Sequence, residues 1–206
     1  MKQADLSAST LDEETARAEI YGLLAELFYA PPSAELYGKL SIAVTEAPTP
    51  GGMLEGSWTD LVAAARQHES AAVAREYNAL FGGVGKPEVY LFGSHYLSGF
   101  LNEKPLAALR SELALLGLAR DEKIMPETED HAAYLFEVMR YLIAGDDVAV
   151  ANLTRQREFF ACHLQPWLPQ MCDAVAQHPK ADFYRILAAF TQAFLSVEAQ
   201  GFDMLA

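Results

Sequence analysis

Apolar residues recur every three or four positions along almost the whole chain, and no segment shows the alternation typical of a β-strand. This spacing collects the apolar side chains on one face of an α-helix, where they can be buried together. The predicted apolar stripes of the first and last helices are Ile20, Leu23, Leu24, Leu27 and Phe28, and Phe183, Ile186, Leu187, Phe190 and Phe194. Glycine and proline interrupt the pattern at short intervals, which indicates short connections between helices. We predict an all-α fold, a single compact helical domain of about eight or nine helices over residues 1–206, with segment 82–95 as the seam if there are two halves.

Capping residues and helix breakers set the predicted boundaries. Thr10 and Glu13 form a capping-box pattern that begins the first helix, and Pro31 ends it. Residues 46–57 hold two prolines and three glycines and are predicted to form a loop. Pro105 is expected at the start and Gly117 at the C-terminal cap of a middle helix. The other predicted helices cover residues 33–44, 58–81, 128–144, 146–164 with Asp146 as cap, 166–178 and 183–198.

The charge balance of the chain is strongly acidic. There are 28 acidic and 15 basic residues, which gives a formal net charge of −13. Such a surface repels nucleic-acid phosphates, so we expect no nucleic-acid partner. It would attract a basic peptide, although solubility alone is an equally good explanation of the charge.

The two cysteines, Cys162 and Cys172, do not form a disulfide framework and fit a reducing compartment. Cys162 precedes His163, but a structural zinc site needs four ligands in close pairs, so buried packing is expected for both thiols. No apolar signal region follows the N-terminus, and the apolar runs are too short to span a bilayer. We therefore expect a cytoplasmic protein with no membrane insertion and no cofactor.

Motifs for catalysis or nucleotide binding are incomplete. Gly85-Lys86 lacks the earlier glycine and the following Ser or Thr of a phosphate loop. Asp130-His131 leaves open an alternative function, a metal-dependent helical hydrolase, but that site would need further ligands from other helices. Nucleotide binding is a third hypothesis that no phosphate motif supports. The sequence thus predicts a protein that is not an enzyme.

Residues 127–131 are the most informative segment, and we predict that they open the helix over 128–144. The unpaired N–H groups of a first turn favour acidic side chains, which accounts for Glu127 but not for His131. At about 100° per residue, His131 falls in line with the apolar stripe that should face the core. Asp130 falls on the polar and aromatic face, so we expect it to be exposed. Asp130→Asn should then leave folding nearly intact, whereas His131→Ala should lower the melting temperature.

Five segments resemble, in order and spacing, motifs of the TorD/DmsD/NarJ family of molybdoenzyme maturation chaperones. Residues 127–131 resemble its E-(P)-x-D-H signature, with Thr128 in place of the optional proline. The other matching segments are 21–28, which resembles the first helix, 76–81 (E-Y-x-x-L-F), 95–99 (Y-x-S) and 163–167 (H-L-x-x-W). The resemblance spans residues 18–198.

The resemblance implies an all-helical cytoplasmic chaperone that binds the precursor of a molybdenum oxidoreductase catalytic subunit. The bound segment is often an N-terminal twin-arginine leader, and the chaperone supports cofactor insertion before export or assembly. Such a leader needs carboxylates for its guanidinium groups and an apolar groove for its apolar stretch. The expected oligomeric state is a monomer or a domain-swapped homodimer. The predicted client-binding residues are Glu127, Asp130, His131, Tyr96, Ser98, Phe81 and Tyr134, with Trp58 as a further groove residue.

Overall fold

The computed structural model describes residues 6–45, 52–82 and 86–204, with side chains described from residue 13 onward. Within this part of the chain there are ten α-helices, one π-helical segment and no β-strand, which confirms the all-α fold class. The helices are α1 (Leu6–Tyr29), α2 (Ala34–Ser41), α3 (Glu55–Gln67), α4 (Ser70–Leu80), α5 (Gly93–Ser98), α6 (Lys104–Leu115), α7 (Ala132–Ala144), α8 (Leu153–Phe159), α9 (Leu168–Ala176) and α10 (Phe183–Asp203). The π-helical segment, Phe160–Leu164, continues directly from α8.

The buried face of α1 packs along α7 and forms the centre of the molecule. Leu24, Leu27 and Phe28, three of the predicted stripe residues, are fully buried. The Phe136 ring of α7 lies 6.2 Å from the Tyr21 ring and 6.0 Å from the Phe28 ring, measured between centroids. Large buried aromatic side chains bring much apolar area out of water, so this pair of helices anchors the core.

The C-terminal helix α10 closes the core against α3, α4 and α9. Its predicted stripe is confirmed at Phe183, Leu187, Phe190 and Phe194, which are all buried, whereas Ile186 is only half-buried. The buried side chains of all these elements belong to one continuous hydrophobic cluster. No helix in the three described stretches combines the length and the apolar character needed to cross a bilayer.

A buried polar network joins the middle of α1 to the C-terminal part of α10. The Arg17 guanidinium donates to both carboxylate oxygens of Glu198 at 2.7 and 2.8 Å. The Tyr21 hydroxyl donates to the same carboxylate at 3.0 Å, and Arg17 also reaches Gln156 of α8. Because Glu198 is buried and fully hydrogen-bonded, loss of one partner would leave an uncompensated charge.

The long helix predicted over 58–81 is wrong, because two helices occupy this range. α3 ends at His68, whose backbone is extended, and α4 begins two residues later. The His68 ring bonds to the Ala64 carbonyl and to the Asp182 carboxylate, and the His68 carbonyl accepts from the Tyr37 hydroxyl. The break therefore depends on contacts with α2 and the start of α10, and no glycine or proline marks it in the sequence.

Three further predicted boundaries shift. α1 begins at Leu6, so Thr10 lies inside the helix and does not cap it. The helix predicted from Asp146 begins only at Leu153, because Asn152 supplies the capping oxygen to the Arg155 N–H. Residues 46–51 of the predicted loop and 83–85 of segment 82–95, including Gly85, lie outside the described residues, and α3 begins inside the rest of that loop.

The predicted ends of α6 are confirmed. Pro105 lies in its first turn, and Gly117 adopts a left-handed conformation with φ of 70°. The Leu118 N–H donates to the Leu113 carbonyl and the Gly117 N–H to the Ala114 carbonyl, which is the Schellman arrangement. The short helix α5 begins at Gly93, inside segment 82–95, and the role of this segment as a seam stays a prediction.

Residues 76 and 77, from the E-Y-x-x-L-F segment, join α4 to two other helices. The Glu76 carboxylate accepts backbone N–H bonds from Asp182, Phe183 and Tyr184 at 2.7, 3.1 and 2.8 Å, which caps α10. The Tyr77 hydroxyl donates to the Tyr29 carbonyl at 2.7 Å, at the end of α1. Both side chains thus satisfy helix ends that would otherwise lack partners.

We expect Glu76→Ala to lower the free energy of unfolding by about 2 kcal/mol, since it removes the cap of α10 and leaves three N–H groups unpaired. Glu69→Ala is the matched control, because Glu69 is exposed at the N-cap of α4 and makes no side-chain capping bond. Urea unfolding followed by circular dichroism measures both. Equal loss in the two variants would contradict the capping role.

Candidate functional site

α7 begins at Ala132, four residues later than predicted, with His131 as its N-cap. The Nδ1 atom of His131 accepts the Ala133 N–H at 3.2 Å, so we assign the ring proton to Nε2. Burial lowers the pKa of His131 to about 4, although the charge of Asp130 acts in the opposite direction. A neutral ring at this helix end avoids the unfavourable cation, and the predicted burial of His131 is confirmed.

Asp130 precedes the helix and is buried, with 3% of its surface exposed, so its predicted exposure is wrong. One carboxylate oxygen accepts the Ser94 N–H at 2.9 Å, and the other accepts the Thr128 hydroxyl at 2.7 Å. The Asp130 carbonyl accepts the Gly93 N–H at 2.8 Å. Helical spacing does not apply to Asp130, because the helix starts after it, and its side chain turns toward the start of α5.

The pairing between residues 91–94 and 130–132 holds α5 against the start of α7, and we call this region the junction. Phe92 and His131 form an antiparallel bridge, and the Ala132 N–H donates to the Leu91 carbonyl at 2.8 Å. The Phe92 ring meets the His131 ring edge-on at 5.0 Å between centroids. The Asp-His pair therefore caps two helices at once and fixes their relative position.

The acidic side chains near the junction differ in whether they are paired within the protein or exposed to solvent. Glu129 forms ion pairs with Arg110 at 2.8 Å and with Arg120 at 3.3 Å. Burial opposes its charged form, but hydrogen bonds from its own backbone N–H and from the two arginines lower the pKa of Glu129 overall. Glu127 is exposed and lies near Tyr77, where burial and then the Glu127 charge raise the pKa of the tyrosine. Of these carboxylates, Glu127 is the one directed to solvent.

Tyr96 and Ser98 lie on α5, next to the junction. The Tyr96 ring stacks on Trp167 at 5.5 Å between centroids, and its hydroxyl donates to the Tyr90 carbonyl at 2.8 Å. The exposed Ser98 hydroxyl donates to the Ser94 carbonyl at 2.7 Å. A Cβ atom at Gly93 would lie 3.1 Å from the Trp167 ring, so glycine allows α5 to approach this indole closely.

A cavity of about 210 Å³, here called the Asp130 pocket, lies between α5, α6, α7 and the π-helical segment. Asp130, His163 and Cys162 contribute its polar groups. The apolar part of the lining comes from Leu97, Pro105, Ala108, Leu109, Leu135 and Trp167. It brings Asp130, a predicted site residue, together with side chains from α5, α6, α7 and the π-helical segment.

Of the predicted site residues, Asp130 alone contributes to this lining, and Phe81, Tyr134 and Trp58 pack in other parts of the described structure. Phe81 is half-buried among aromatic rings, 5.1 Å from the Tyr77 ring and 5.2 Å from the Tyr184 ring. Tyr134 is half-buried on α7, and burial followed by the Glu129 charge raises its pKa. Trp58 packs on Phe190 of α10 in a different groove. The structure thus separates Trp58 from the junction and leaves Phe81 as a core-edge residue.

The sequence did not reveal the exposed apolar residues beside the pocket. Leu97, Phe100 and Leu101 are 45%, 71% and 42% exposed, and we call this group the apolar strip. The sequence does place these three large apolar residues within five consecutive positions around Gly99, and this pattern could have indicated an exposed apolar turn. Leu97 also lines the pocket, so the strip and the pocket form one surface.

The prediction for the cysteines is confirmed for Cys172 and wrong for Cys162. Cys172 is buried, whereas Cys162 is exposed on the π-helical segment at the pocket. The adjacent His163 Nε2 lies 2.6 Å from the Glu112 carboxylate of α6. π-Helical turns often occur at functional sites, and this one presents both side chains to the pocket.

Metal chemistry finds no support in the residues that the structure describes. No group of three or more His, Cys, Asp or Glu side chains among them could hold a metal ion. Asp130 and the Nδ1 atom of His131, the two proposed ligands, are already used as helix caps. The hydrolase alternative therefore loses the two residues on which it rested.

Comparison with known proteins agrees with this architecture. The family model described as nitrate reductase delta subunit matches residues 51–173, more than half of the chain. The chain belongs to this family. The chaperone protein TorD of Colwellia psychrerythraea is 22% identical over 223 residues, which cover 92% of either chain. The crystal structure of a protein from Archaeoglobus fulgidus, assigned as a redox enzyme maturation protein, shares the fold with a TM-score of 0.56, at 18% identity over 87% of this chain and 93% of that one.

Membership in the nitrate reductase delta subunit family confirms the TorD/DmsD/NarJ resemblance. The family consists of molybdoenzyme maturation chaperones and not of enzymes. Four of the five resembling segments, 76–81, 95–99, 127–131 and 163–167, lie inside the matched range. In this chain, segments 76–81 and 127–131 supply helix caps, and segments 95–99, 127–131 and 163–167 contribute to the lining of the Asp130 pocket.

Asp130→Ala should lower the free energy of unfolding by about 2–3 kcal/mol, because it leaves the buried Ser94 N–H and Thr128 hydroxyl without an acceptor. Asp130→Asn keeps one oxygen for Ser94 and can donate its amide to the Thr128 oxygen, so we expect a loss of about 1 kcal/mol. Exposed Asp146→Ala is the control. Chemical unfolding of the three variants measures the effect, and an unchanged Asp130→Ala would contradict the capping role.

Protonation of His131 should destabilise the folded state. Its folded pKa of about 4 lies below the unfolded value near 6.5, so stability should fall as the pH drops through this range. His131→Asn keeps a capping side chain that does not titrate. Urea unfolding between about pH 7.5 and 4 should give a shallower pH dependence for the variant. Parallel plots of unfolding free energy against pH for the parent and the variant would contradict a lowered pKa of His131 in the folded state.

Proposed function

We propose that this chaperone binds the N-terminal leader of the precursor of a molybdenum oxidoreductase catalytic subunit. Binding takes place in the cytoplasm and supports cofactor insertion before export or assembly. The observation that carries the proposal is the Asp130 pocket with its adjoining apolar strip, on the surface built by the family's signature residues. A leader with an apolar stretch fits such a surface by burying apolar area that both partners expose when free.

The predicted site residues take different roles in this proposal. Asp130 and His131 act as positioning residues, because their polar atoms already serve the helix ends. Tyr96 and Ser98 place α5, which carries part of the pocket wall. Phe81 and Tyr134 are half-buried and offer edges to a bound segment.

Exposed Glu127 is the carboxylate that would receive a leader arginine. It stands at the edge of the junction and lies outside the ion pairs that hold Glu129. A guanidinium group binds a carboxylate through charge-assisted hydrogen bonds, which are stronger than neutral ones. The net charge of −13 adds a long-range attraction for a twin-arginine segment.

Affinity capture from native extract tests the proposal, with the bound precursor identified by mass. Synthetic leaders of the trimethylamine N-oxide, dimethyl sulfoxide and nitrate reductases and of formate dehydrogenase from the same cells form a peptide panel for calorimetry. Each leader is paired with a scrambled peptide of the same composition. Capture of no molybdoenzyme precursor, together with equal binding of leaders and scrambled peptides, would reject leader binding.

Leader binding should weaken as salt rises, because the Debye length falls from roughly 10 Å at 0.1 M to 3 Å at 1 M. Glu127→Gln should reduce this salt dependence and weaken binding by about 1 kcal/mol at low salt. Glu19→Gln removes an equally exposed charge from the middle of α1 and serves as control. Calorimetry at several salt concentrations measures both variants. Identical salt slopes for Glu127→Gln and the parent would exclude Glu127 as the arginine receptor.

A further inference from the structure

The Asp130 pocket has the size and the walls of a site for one apolar side chain. Its volume of about 210 Å³ exceeds the roughly 150 Å³ of an engineered apolar cavity that binds benzene. The Trp167 ring and the side chains of Leu109 and Leu135 form most of the depth, and Ala108 lies at an exposed position of α6. A leucine or phenylalanine side chain of a bound segment fits these dimensions.

The same pocket is a poor receptor for an arginine. Its carboxylate, Asp130, is 3% exposed and already accepts from Ser94 and Thr128. A guanidinium group carries five N–H donors, and moving it into apolar surroundings is unfavourable unless most of them find partners. Glu112, the other carboxylate near the pocket, is engaged with His163.

The apolar strip continues the pocket outward and has a fixed shape. Gly99 and Asn102 have left-handed backbones, with φ of 80° and 60°, and the Ser98 hydroxyl also donates to the Phe100 carbonyl at 3.2 Å. These features hold Phe100 and Leu101 in a turn beside α5 instead of turning them inward. An occupant whose side chain fills the pocket therefore meets further apolar surface next to it.

Charge around the pocket selects the kind of occupant. Burial, and after it the charges of Glu112 and Glu158, raise the pKa of the Cys162 thiol, so two acidic side chains lie near this wall of the pocket. Two copies of a chain with a net charge of −13 repel each other, which disfavours self-association through this face. An apolar segment next to basic residues has the complementary chemistry.

We propose that the Asp130 pocket binds a single large apolar side chain from the apolar stretch of the client leader, and that the leader arginines remain outside it. The next apolar residues of the leader lie on Leu97, Phe100 and Leu101. The pocket thereby determines which leaders fit, and Asp130 shapes it without contacting an arginine. This inference rests on the proposed leader binding.

Two substitutions on α6 test the occupancy of the pocket. Ala108→Trp places a large ring in it, whereas Ala107 is exposed on the same helix outside the lining, so Ala107→Trp is the matched control. We expect Ala108→Trp to weaken binding of the tightest leader of the panel by about tenfold or more, and Ala107→Trp to change it by less than about twofold. Circular dichroism verifies that both variants fold.

A serine scan of the same leader identifies the inserted side chain. Replacing that apolar residue should weaken binding to the parent protein by about tenfold, but have little further effect on Ala108→Trp. Replacing either leader arginine with glutamine should weaken binding to the parent and to Ala108→Trp by the same factor. The inference would be overturned if replacing a leader arginine weakened binding to the parent but not to Ala108→Trp, while every apolar replacement weakened binding to both proteins by the same factor.

Cys162 provides a probe that needs no substitution. It is exposed in the lining, while Cys172 is buried, so iodoacetamide at about pH 8.5 should label Cys162 selectively. Saturating leader should slow this labelling by about fivefold or more, and the scrambled peptide should leave it unchanged. Ala107→Cys in a Cys162→Ser background is the control, and its labelling rate should stay the same when leader is added, because residue 107 is exposed outside the lining.

The possible results separate this inference from the proposed function. If leaders bind but Cys162 stays equally reactive and Ala108→Trp behaves like Ala107→Trp, the pocket assignment is wrong and leader binding stands. If gel filtration shows that the parent is a dimer and Ala108→Trp a monomer, a second copy occupies the pocket and the assignment is again wrong. If no leader of the panel binds the parent protein better than its scrambled peptide and no molybdoenzyme precursor is captured, the pocket assignment and leader binding are both rejected.

Discussion

The carboxylate of Asp130 satisfies the buried N-terminal end of α5, and the arrangement of the surface around it depends on this bond. The N–H of Ser94 is out of reach of water, so it must find an acceptor within the protein. Asp130 supplies that acceptor from 36 residues further along the chain, and its neighbour His131 caps α7 with a neutral imidazole ring. Two helices are thereby fixed to each other by adjacent residues, in a part of the molecule where a mismatch would leave buried polar groups unpaired.

The position of α5 decides the shape of the surface that is proposed to contact the client. With α5 held by Asp130, Gly93 lies against the Trp167 ring, Tyr96 stacks on the same indole, and Leu97 closes one side of the pocket. In the proposed binding mode, the family motif acts through the geometry that it imposes rather than through a free carboxylate. Charge for a basic client would then come from exposed groups such as Glu127 and from the acidic surface as a whole.

Sequence periodicity predicted the buried stripes of α1 and α10 and the burial of His131, because these follow from positions three and four apart. It failed for Asp130, because the same periodicity was extended across a helix start that lies at Ala132. It also missed the break at His68, which no glycine or proline marks, since the break is held by the Asp182 carboxylate and the Tyr37 hydroxyl. Of the residues that line the Asp130 pocket, the sequence predicted only Asp130 as a site residue, because the other side chains reach the pocket from α5, α6, α7 and the π-helical segment through packing.

The sequence by itself determined the all-α class, most of the core-facing residues, the acidic surface and the family, because helical spacing and motif order are local properties of the chain. Only the tertiary structure decided which groups meet: Asp130 with Ser94 across 36 positions, Glu112 with His163 across 51 and Glu76 with Tyr184 across 108. Such pairs depend on how the helices pack, which sets the distance between a donor and an acceptor that the chain separates widely. The sequence shows that each of these side chains is polar and places it relative to the predicted helices. The packing of the helices then decides which partner it contacts.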